Sequence, residues 1–280
     1  MQKIDMKDKN MSKTISAEKA IRTIVRSHIE TYATTFSERH LRELNEPDGT
    51  LNMKIHNVFI AALGEEIQYY SALARSLDSS LGIIIETMAI NIAKLFYEVH
   101  TSVEGNITTK QINLIAKILE SYTRNIKKPE INDYANLRNK ITKEDVINKR
   151  KTSDYYLIDK SKNTHHLIEL KIGGDLDNKK ARSEKEAILE QYSILSNSLS
   201  KNSKISIHFA TAYNRYGEDK PWTQSRVLQF FAKDELLIGK DFWNFICKSN
   251  EGYDIVIDEY KKTAILIKNA LILIKKSYLG

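Results

Sequence analysis

Apolar residues recur at helical spacing through the first half of the chain. They lie three and four positions apart from Ser16 to about Thr34, and Ser16 is a residue type that commonly caps a helix. The segment SLDSSLGIIIETMAINIAKLFYEV predicts a long, largely buried helix, and NVFIAALGEEI predicts another that ends near Gly64. The run TTKQINLIAKILESYTRNI predicts an amphipathic helix, whose start is marked by Thr108 and Gln111 at capping-box spacing.

The pattern changes to short β-rich segments after about residue 150. DYYLID and HHLIELK flank the polar segment KSKNT and predict a hairpin with a five-residue loop from Lys160 to Thr164. KISIHFATAY predicts a third strand. Between these, SEKEAILEQYSILSNSL returns to helical spacing, with Ser183 and Glu186 as a second capping box.

This order of elements predicts an α/β fold in which helices flank a mixed central sheet. We expect a mobile polar tail over residues 1–14 and a single domain over residues 15–280. Within the domain, the pattern predicts a helical N-terminal layer over about 15–150 and a core over about 151–250. Short helices around SRVLQFFA and KDFWNFIC follow the third strand, and a long C-terminal helix is expected over about 253–278.

Composition and charge narrow the functional class. Apolar residues make up 41% of the 280 positions, which indicates a globular chain, and the net charge of +7 favours a polyanionic partner. Cys247 is the only cysteine in the sequence, which excludes an intrachain disulfide and a cysteine-based zinc site. The start of the chain lacks the apolar region of a signal peptide, and TAILIKNALILI is too short to span a bilayer. We therefore expect a cytoplasmic protein that is not attached to a membrane.

The predicted hairpin carries three residues that could form a functional site. Side chains alternate between the faces of a strand, so Glu169 and Lys171 share one face while Leu170 points away. The predicted loop brings Asp154 level with Leu170 to within one residue, and a one-residue register shift or a bulge would turn its carboxylate towards Glu169 and Lys171. Asp159 lies at the loop end, too far away to join them. The alternative interpretation is a solvated salt-bridge face.

The residue types of this group favour a divalent cation. Two adjacent carboxylates repel each other unless a cation lies between them, and Mg²⁺ takes oxygen ligands, often with only one or two protein carboxylates. Asp154, Glu169 and the carbonyl oxygen of Leu170 would bind Mg²⁺. Lys171 would orient a water molecule or offset charge that develops on a phosphate.

The same residues resemble a known nuclease motif. Asp154, fourteen further residues and then Glu169-Leu170-Lys171 resemble the PD-(D/E)xK motif, with Ser153 in place of the proline. The segments IELKIGGDLDNKKARSEKEAILEQYSIL and FATAYNRYGEDKPWTQSRVLQFFAKDELLIGKDFWNFIC resemble type II restriction endonucleases of the TdeIII-like family. The resemblance covers roughly residues 71–247 and implies a restriction-endonuclease-like core.

The resemblance also implies two further site residues. A helix before the hairpin would contribute Glu86, although a helix-surface charge or a partner for a buried base explains this residue equally well. Gln191 lies in the LEQY segment of the helix after the second strand and would reach the scissile phosphate or the metal, unless it belongs to an ordinary amphipathic surface.

A run of basic residues follows the hairpin directly, and polar residues follow the third strand. Such residues would contact DNA, or would form a solvated face and a turn. These candidate DNA contacts are Lys179, Lys180, Arg182, Lys185, Asn214 and Arg215. His165 and His166 cannot bind one ion because adjacent strand residues face opposite ways, so we expect packing or surface roles for them.

The implied activity is Mg²⁺-dependent hydrolysis of double-stranded DNA at a short palindromic site that leaves 5′-phosphates. GGNCC is one such site in the family that the chain resembles. A homodimer is expected because palindromes are normally read by two-fold assemblies, and a cognate DNA methyltransferase is expected in the same cell. The alternatives are a structure-selective repair nuclease with the same core and a non-catalytic DNA-binding module. Cleavage of branched DNA would favour the first, and binding without nicking would favour the second.

Overall fold

The computed structural model describes residues 2–53, 57–138 and 145–280, with side chains described from residue 15 onwards. The chain divides into two compact units, one formed by residues up to 91 together with 254–280, the other by residues 92–253. Residues 92–150, which the sequence pattern assigns to a helical N-terminal layer, belong to the second unit. The organisation of residues 15–280 as a single domain stays a prediction.

The first unit is helical in its described residues. It contains α1 (Gln2–Arg42), α2 (Val58–Ala61) and most of α3 (Glu65–Ala93) and α8 (Gly252–Leu279). Helix α1 begins at Gln2, within the segment that the sequence predicts to be a tail. Residue 1 lies outside the described residues. The core of this unit consists of buried side chains from α1, α3 and α8, among them Ile29, Phe36, Leu73, Ile267 and Ile274.

Helix α3 is unusually apolar. Within the part of the chain that the structure describes, it is the one helix that is long and apolar enough to cross a membrane. A single helix of this kind is weak evidence, since the core helix of a soluble protein meets the same description. No membrane protein is indicated.

The second unit is built around a mixed sheet. Its described residues form five strands in the order β1 (Glu98–Thr108), β2 (Val146–Asp159), β3 (Thr164–Leu170), β4 (Lys204–Thr211) and β5 (Leu236–Ile238). The first three strands are antiparallel neighbours, and β3, β4 and β5 are parallel. Helices α4 (Thr109–Thr123), α5 (Asn178–Ser198), α6 (Ser225–Leu228) and α7 (Lys240–Ile246) surround the sheet. This confirms the predicted α/β fold with a mixed central sheet flanked by helices.

The two faces of the sheet have different neighbours. On one face, Tyr156 and Leu167 belong to a buried cluster with side chains of α4 and α5. On the other face, Tyr155 contacts the ring of Phe242, a residue of α7, at 6.1 Å between ring centroids. The alternation of side chains along β2 and β3 therefore decides which residues meet α5.

Helix starts are set by local capping, and two predicted starts are wrong. Ser16, the predicted N-cap of the first helix, lies inside α1, which begins at Gln2. The capping box of α4 is confirmed: the Gln111 N–H donates to Thr108 Oγ1 at 3.2 Å, and the Thr108 N–H donates to Gln111 Oε1 at 3.0 Å. Helix α5 begins earlier than the predicted capping box of Ser183 and Glu186. Asp177 caps it instead by accepting from the Lys180 N–H at 2.8 Å, so the run of basic residues lies inside the helix.

Candidate active site

The β2–β3 hairpin is one residue tighter than the sequence predicts. Asp159 pairs with Thr164, so the loop comprises residues 160–163. The same register pairs Tyr155 with Ile168, and it brings Asp154 level with Glu169. This is the one-residue shift that turns Asp154 towards the face shared by Glu169 and Lys171.

An irregularity in β2 lies at the same point. In the pairing of β1 with β2, Thr101 alone lies opposite Ser153, Asp154 and Tyr155. Extra residues of this kind form a bulge, which bends the strand and redirects its side chains. The bulge and the hairpin register together place the Asp154 carboxylate beside the end of β3.

Hydrogen bonds hold the backbone at this end of the sheet. Asp154 Oδ2 accepts from the Leu170 N–H at 2.9 Å. The Lys171 N–H donates to the Ala210 carbonyl oxygen at 3.0 Å, which extends the pairing of β3 with β4 by one residue. Glu169 and Lys171 are therefore held on both sides, by β2 and by β4.

Three carboxylates and one ammonium group converge here. Lys171 Nζ lies 2.5 Å from Glu169 Oε1 and 3.2 Å from Glu184 Oε1. Glu184 is a residue of α5 that the sequence analysis does not select. Its spacing from Gln191 could have indicated that Glu184 faces the site, because residues seven apart lie on one face of a helix.

The site contains more acidic than basic side chains, and burial together with these charges shifts the pKa values of Glu169 and Lys171. Burial, followed by the charge of Asp154, raises the pKa of Glu169 to about 8, although Lys171 acts in the opposite direction. Burial alone would lower the pKa of Lys171, but Glu169 and Glu184 outweigh it, so that the pKa of Lys171 is raised. When all four groups are ionised, negative charge exceeds positive charge by two, which a divalent cation would offset.

The opposite side of the site is formed by α5. Gln191 Nε2 donates to the Thr152 carbonyl oxygen at 3.0 Å, two residues before Asp154. Gln191 Oε1 is buried and accepts no hydrogen bond from the described residues. Its neighbour Glu190 is paired with Lys149 and Lys151 instead, which fixes α5 against β2.

The donor set fits a hard cation that prefers oxygen. Within residues 15–53, 57–138 and 145–280, no group of three or more His, Cys, Asp or Glu side chains is arranged to hold a metal ion. Mg²⁺ needs fewer protein ligands, and Asp154, Glu169 and the buried acceptor Gln191 Oε1 are all oxygen donors. These residues suit Mg²⁺ better than a softer metal.

The remaining predicted catalytic residue, Glu86, lies on α3 in the first unit. It makes an interaction within the structure. Its predicted catalytic role stays a prediction.

The basic run of α5 divides between surface and core. Lys179 and Lys180 are exposed, and Arg182 is half-buried and lies 3.3 Å from Glu186. The predicted DNA contact of Lys185 is wrong, because this side chain is fully buried and its Nζ lies 2.6 Å from Glu235 Oε1. A lysine enclosed in the core has no surface with which to reach a phosphate.

The two residues after β4 also differ from each other. Asn214 is buried: its Nδ2 donates to the Lys220 carbonyl oxygen at 2.7 Å, and its Oδ1 accepts from the Tyr216 N–H at 3.0 Å. These bonds favour the turn alternative over a DNA contact. Arg215 is exposed and pairs with Asp175 at 2.8 Å.

Two half-buried histidines, His166 and His208, lie near the other end of β3. His166 faces α7, where its ring lies 4.9 Å from that of Phe245, and its Nδ1 lies 2.6 Å from Ser206 Oγ. Burial lowers the pKa of His166 to about 4 and that of His208, its neighbour on β4, to about 3. Both side chains are therefore neutral packing residues at neutral pH.

These histidines predict acid sensitivity of the fold. A histidine with a lowered pKa in the folded state contributes stability above its unfolded pKa of about 6.5, and this stability is lost as the pH falls towards the folded value. We expect the His166 contribution to be about 3 kcal/mol between pH 7 and pH 4. Urea unfolding of His166→Gln should show a smaller loss of stability over this pH range than the wild type. An equal loss in both proteins would contradict the assignment.

The chain matches the model of a known protein family. A family model described as "Type II restriction endonuclease, HinfI" matches residues 17–264. Curated proteins give no match, and solved structures give none either. The matched range includes Asp154, Glu169 and Lys171.

Proposed function

The chain belongs to the HinfI family of type II restriction endonucleases, which are site-specific deoxyribonucleases, and we propose that it cleaves double-stranded DNA with Mg²⁺ held at the end of the β2–β3 hairpin. The observation that carries this proposal is the convergence of Asp154, Glu169 and Lys171 at one point of the sheet. The family match supports the activity, and the oxygen donors support the choice of Mg²⁺. The TdeIII-like subfamily is not confirmed and stays a prediction.

Each residue of the site has a distinct role in the proposed reaction. Asp154 and Glu169 would bind Mg²⁺, with the carbonyl oxygen of Leu170 and the amide oxygen of Gln191 as further donors. When bound, the cation polarises a phosphoryl oxygen and acidifies a water molecule. Lys171 would place its ammonium group beside the phosphate, where it offsets the negative charge that develops during attack.

The products and partners follow from this chemistry. Attack of water on phosphorus, with loss of the 3′ oxygen, leaves a 5′-phosphate and a 3′-hydroxyl. A short palindromic target, with GGNCC as a candidate, would be read by a homodimer whose two-fold symmetry matches that of the DNA. A cytoplasmic location and a cognate methyltransferase that protects the host DNA complete the proposal.

Cations of α5 and of the segment after β4 would bind the DNA backbone. Lys179 and Lys180 lie in the first turn of α5, and Arg182 follows them. Arg215 extends the basic surface from the segment after β4. Contacts of this kind weaken as salt rises, because phosphate binding releases counterions.

Digestion of unmethylated DNA of known sequence tests the proposed function. In the presence of Mg²⁺, we expect discrete fragments whose sequenced ends carry 5′-phosphates and share one short palindrome. Chelation of the cation with EDTA should abolish cleavage.

Other outcomes of this digestion identify the alternatives. Cleavage of branched or frayed DNA without sequence preference would indicate a repair nuclease with the same core. DNA binding without nicking in either Mg²⁺ or Mn²⁺ would indicate a non-catalytic module and refute the proposal.

A further inference from the structure

Glu184 contacts Lys171 from a helix, whereas the proposed metal ligands Asp154 and Glu169 belong to the sheet. Glu184 is a residue of α5, and its Oε1 lies 3.2 Å from Lys171 Nζ. Lys171 is thus held between a carboxylate of the sheet and a carboxylate of the helix.

Of the two carboxylates that contact Lys171, only Glu169 is a proposed ligand of the cation. A carboxylate that binds a divalent cation can no longer hold an ammonium group as closely, because the two positive charges repel each other. Glu184 is not required as a ligand in the proposed site. Its pairing with Lys171 can therefore persist when Glu169 turns to the cation.

The helix that carries Glu184 is firmly attached to the strand that carries Asp154. Two turns further along α5, Gln191 bonds to the backbone of Thr152, and Glu190 pairs with Lys149. The position of Glu184 is consequently set by the same contacts that set the position of β2. A lysine tied to Glu184 stays at a defined place beside the reacting phosphate.

We propose that Glu184 is a positioning residue that holds Lys171 in the active site when Glu169 binds the cation. This inference rests on the proposed function of Asp154 and Glu169. Without Glu184, Lys171 would remain on Glu169 and compete with the cation for that carboxylate. The loss would therefore appear in the affinity for a divalent ion as well as in the rate of cleavage.

Calorimetric titration of the protein with Mn²⁺, in the absence of DNA, tests the proposal. Outer partners of metal ligands typically contribute about 10- to 100-fold to metal affinity, so we expect Glu184→Gln to weaken Mn²⁺ binding by about tenfold. In a Lys171→Met background, the same substitution should change the affinity by less than about twofold, because the competing ammonium group is absent. Glu186→Gln, an equal charge change on the exposed side of α5, is the matched control.

The outcomes separate this inference from the function on which it rests. Absence of Mn²⁺ binding by the wild-type protein would refute the metal site itself. Binding by the wild type with no loss in Glu184→Gln would overturn the positioning role alone. An equal loss in both backgrounds would overturn it too, because Glu184 would then act on the cation directly. If Glu184→Gln does not fold, Glu184→Asp serves in the same comparison, with an intermediate loss expected.

Discussion

Replacing Lys171 by alanine should lower the rate of DNA cleavage by about 10³-fold, the loss expected when one donor to a developing oxyanion is removed. The structure places this ammonium group against two carboxylates, Glu169 at 2.5 Å and Glu184 at 3.2 Å. Removal of Lys171 takes away the only cation among these groups, so the affinity for a divalent metal should not fall. Single-turnover cleavage in Mg²⁺ and a gel-shift assay in Ca²⁺ would separate the rate from DNA binding, which we expect to change little.

Lys162→Ala is the matched control for this variant. Lys162 is an exposed residue of the hairpin loop, at the opposite end of β3 from the site, and its replacement removes the same charge. We expect cleavage within about threefold of the wild type, because the effect of an exposed charge is screened beyond about 10 Å. Near-normal cleavage by Lys171→Ala would refute its catalytic role, and equal losses in both variants would point to a general effect of charge.

The relation of Glu169 to Lys171 follows from the sequence, whereas the place of Asp154 required the structure. Alternation along a strand puts Glu169 and Lys171 on one face in any register. The face of Asp154 depends on whether the hairpin loop has four residues or five, and a change of one residue moves the side chain to the other face. The bulge opposite Thr101 is equally invisible in the sequence, because it arises from the pairing of β2 with β1.

The sequence pattern predicts neither β1 nor the first half of β2, and both omissions have the same cause. The first half of β2 reads VINKRKTS, and β1 reads EVHTSVEGNIT, so neither has the apolar alternation of a half-buried strand. Much of this ribbon is exposed, and its pairing is decided by backbone hydrogen bonds between segments far apart in the sequence. Helix α4 was predictable because its capping box and its apolar spacing both lie within one short segment.

The burial of Lys185 could not be predicted from the run of basic residues in which it lies. Its neighbours Lys179 and Lys180 are exposed, and the sequence around all three looks alike. The partner of Lys185 is Glu235, fifty residues away, and the two meet only because α5 packs against the segment before β5. Burial lowers the pKa of Lys185, and Glu235 opposes that effect. Pairs of this kind become apparent only in three dimensions.

Replacing Glu235 by glutamine should destabilise the second unit by about 3–5 kcal/mol, because it leaves the charge of Lys185 buried without compensation. Both oxygens of Glu235 lie within 2.7 Å of Lys185 Nζ, and the Tyr134 hydroxyl donates to Oε1 at 2.9 Å. Glutamine keeps the volume and an acceptor for Tyr134, but the Ala232 N–H, which donates to Oε2 at 2.7 Å, loses its acceptor. The loss therefore combines the buried charge with one hydrogen bond. Trp222 and Trp243 both lie in the second unit, so the fluorescence change on urea unfolding measures this unit.

A second substitution tests that physical cause. Combining Glu235→Gln with Lys185→Met removes the buried charge and should recover most of the lost stability, since well-packed apolar replacements of buried ion pairs are often neutral. Glu186→Gln, which breaks the half-exposed pair with Arg182, should cost no more than about 0.5 kcal/mol. If the double variant is as unstable as Glu235→Gln alone, the loss stems from the hydrogen bond that the Ala232 N–H donates to Glu235 Oε2, and the buried charge is not its cause.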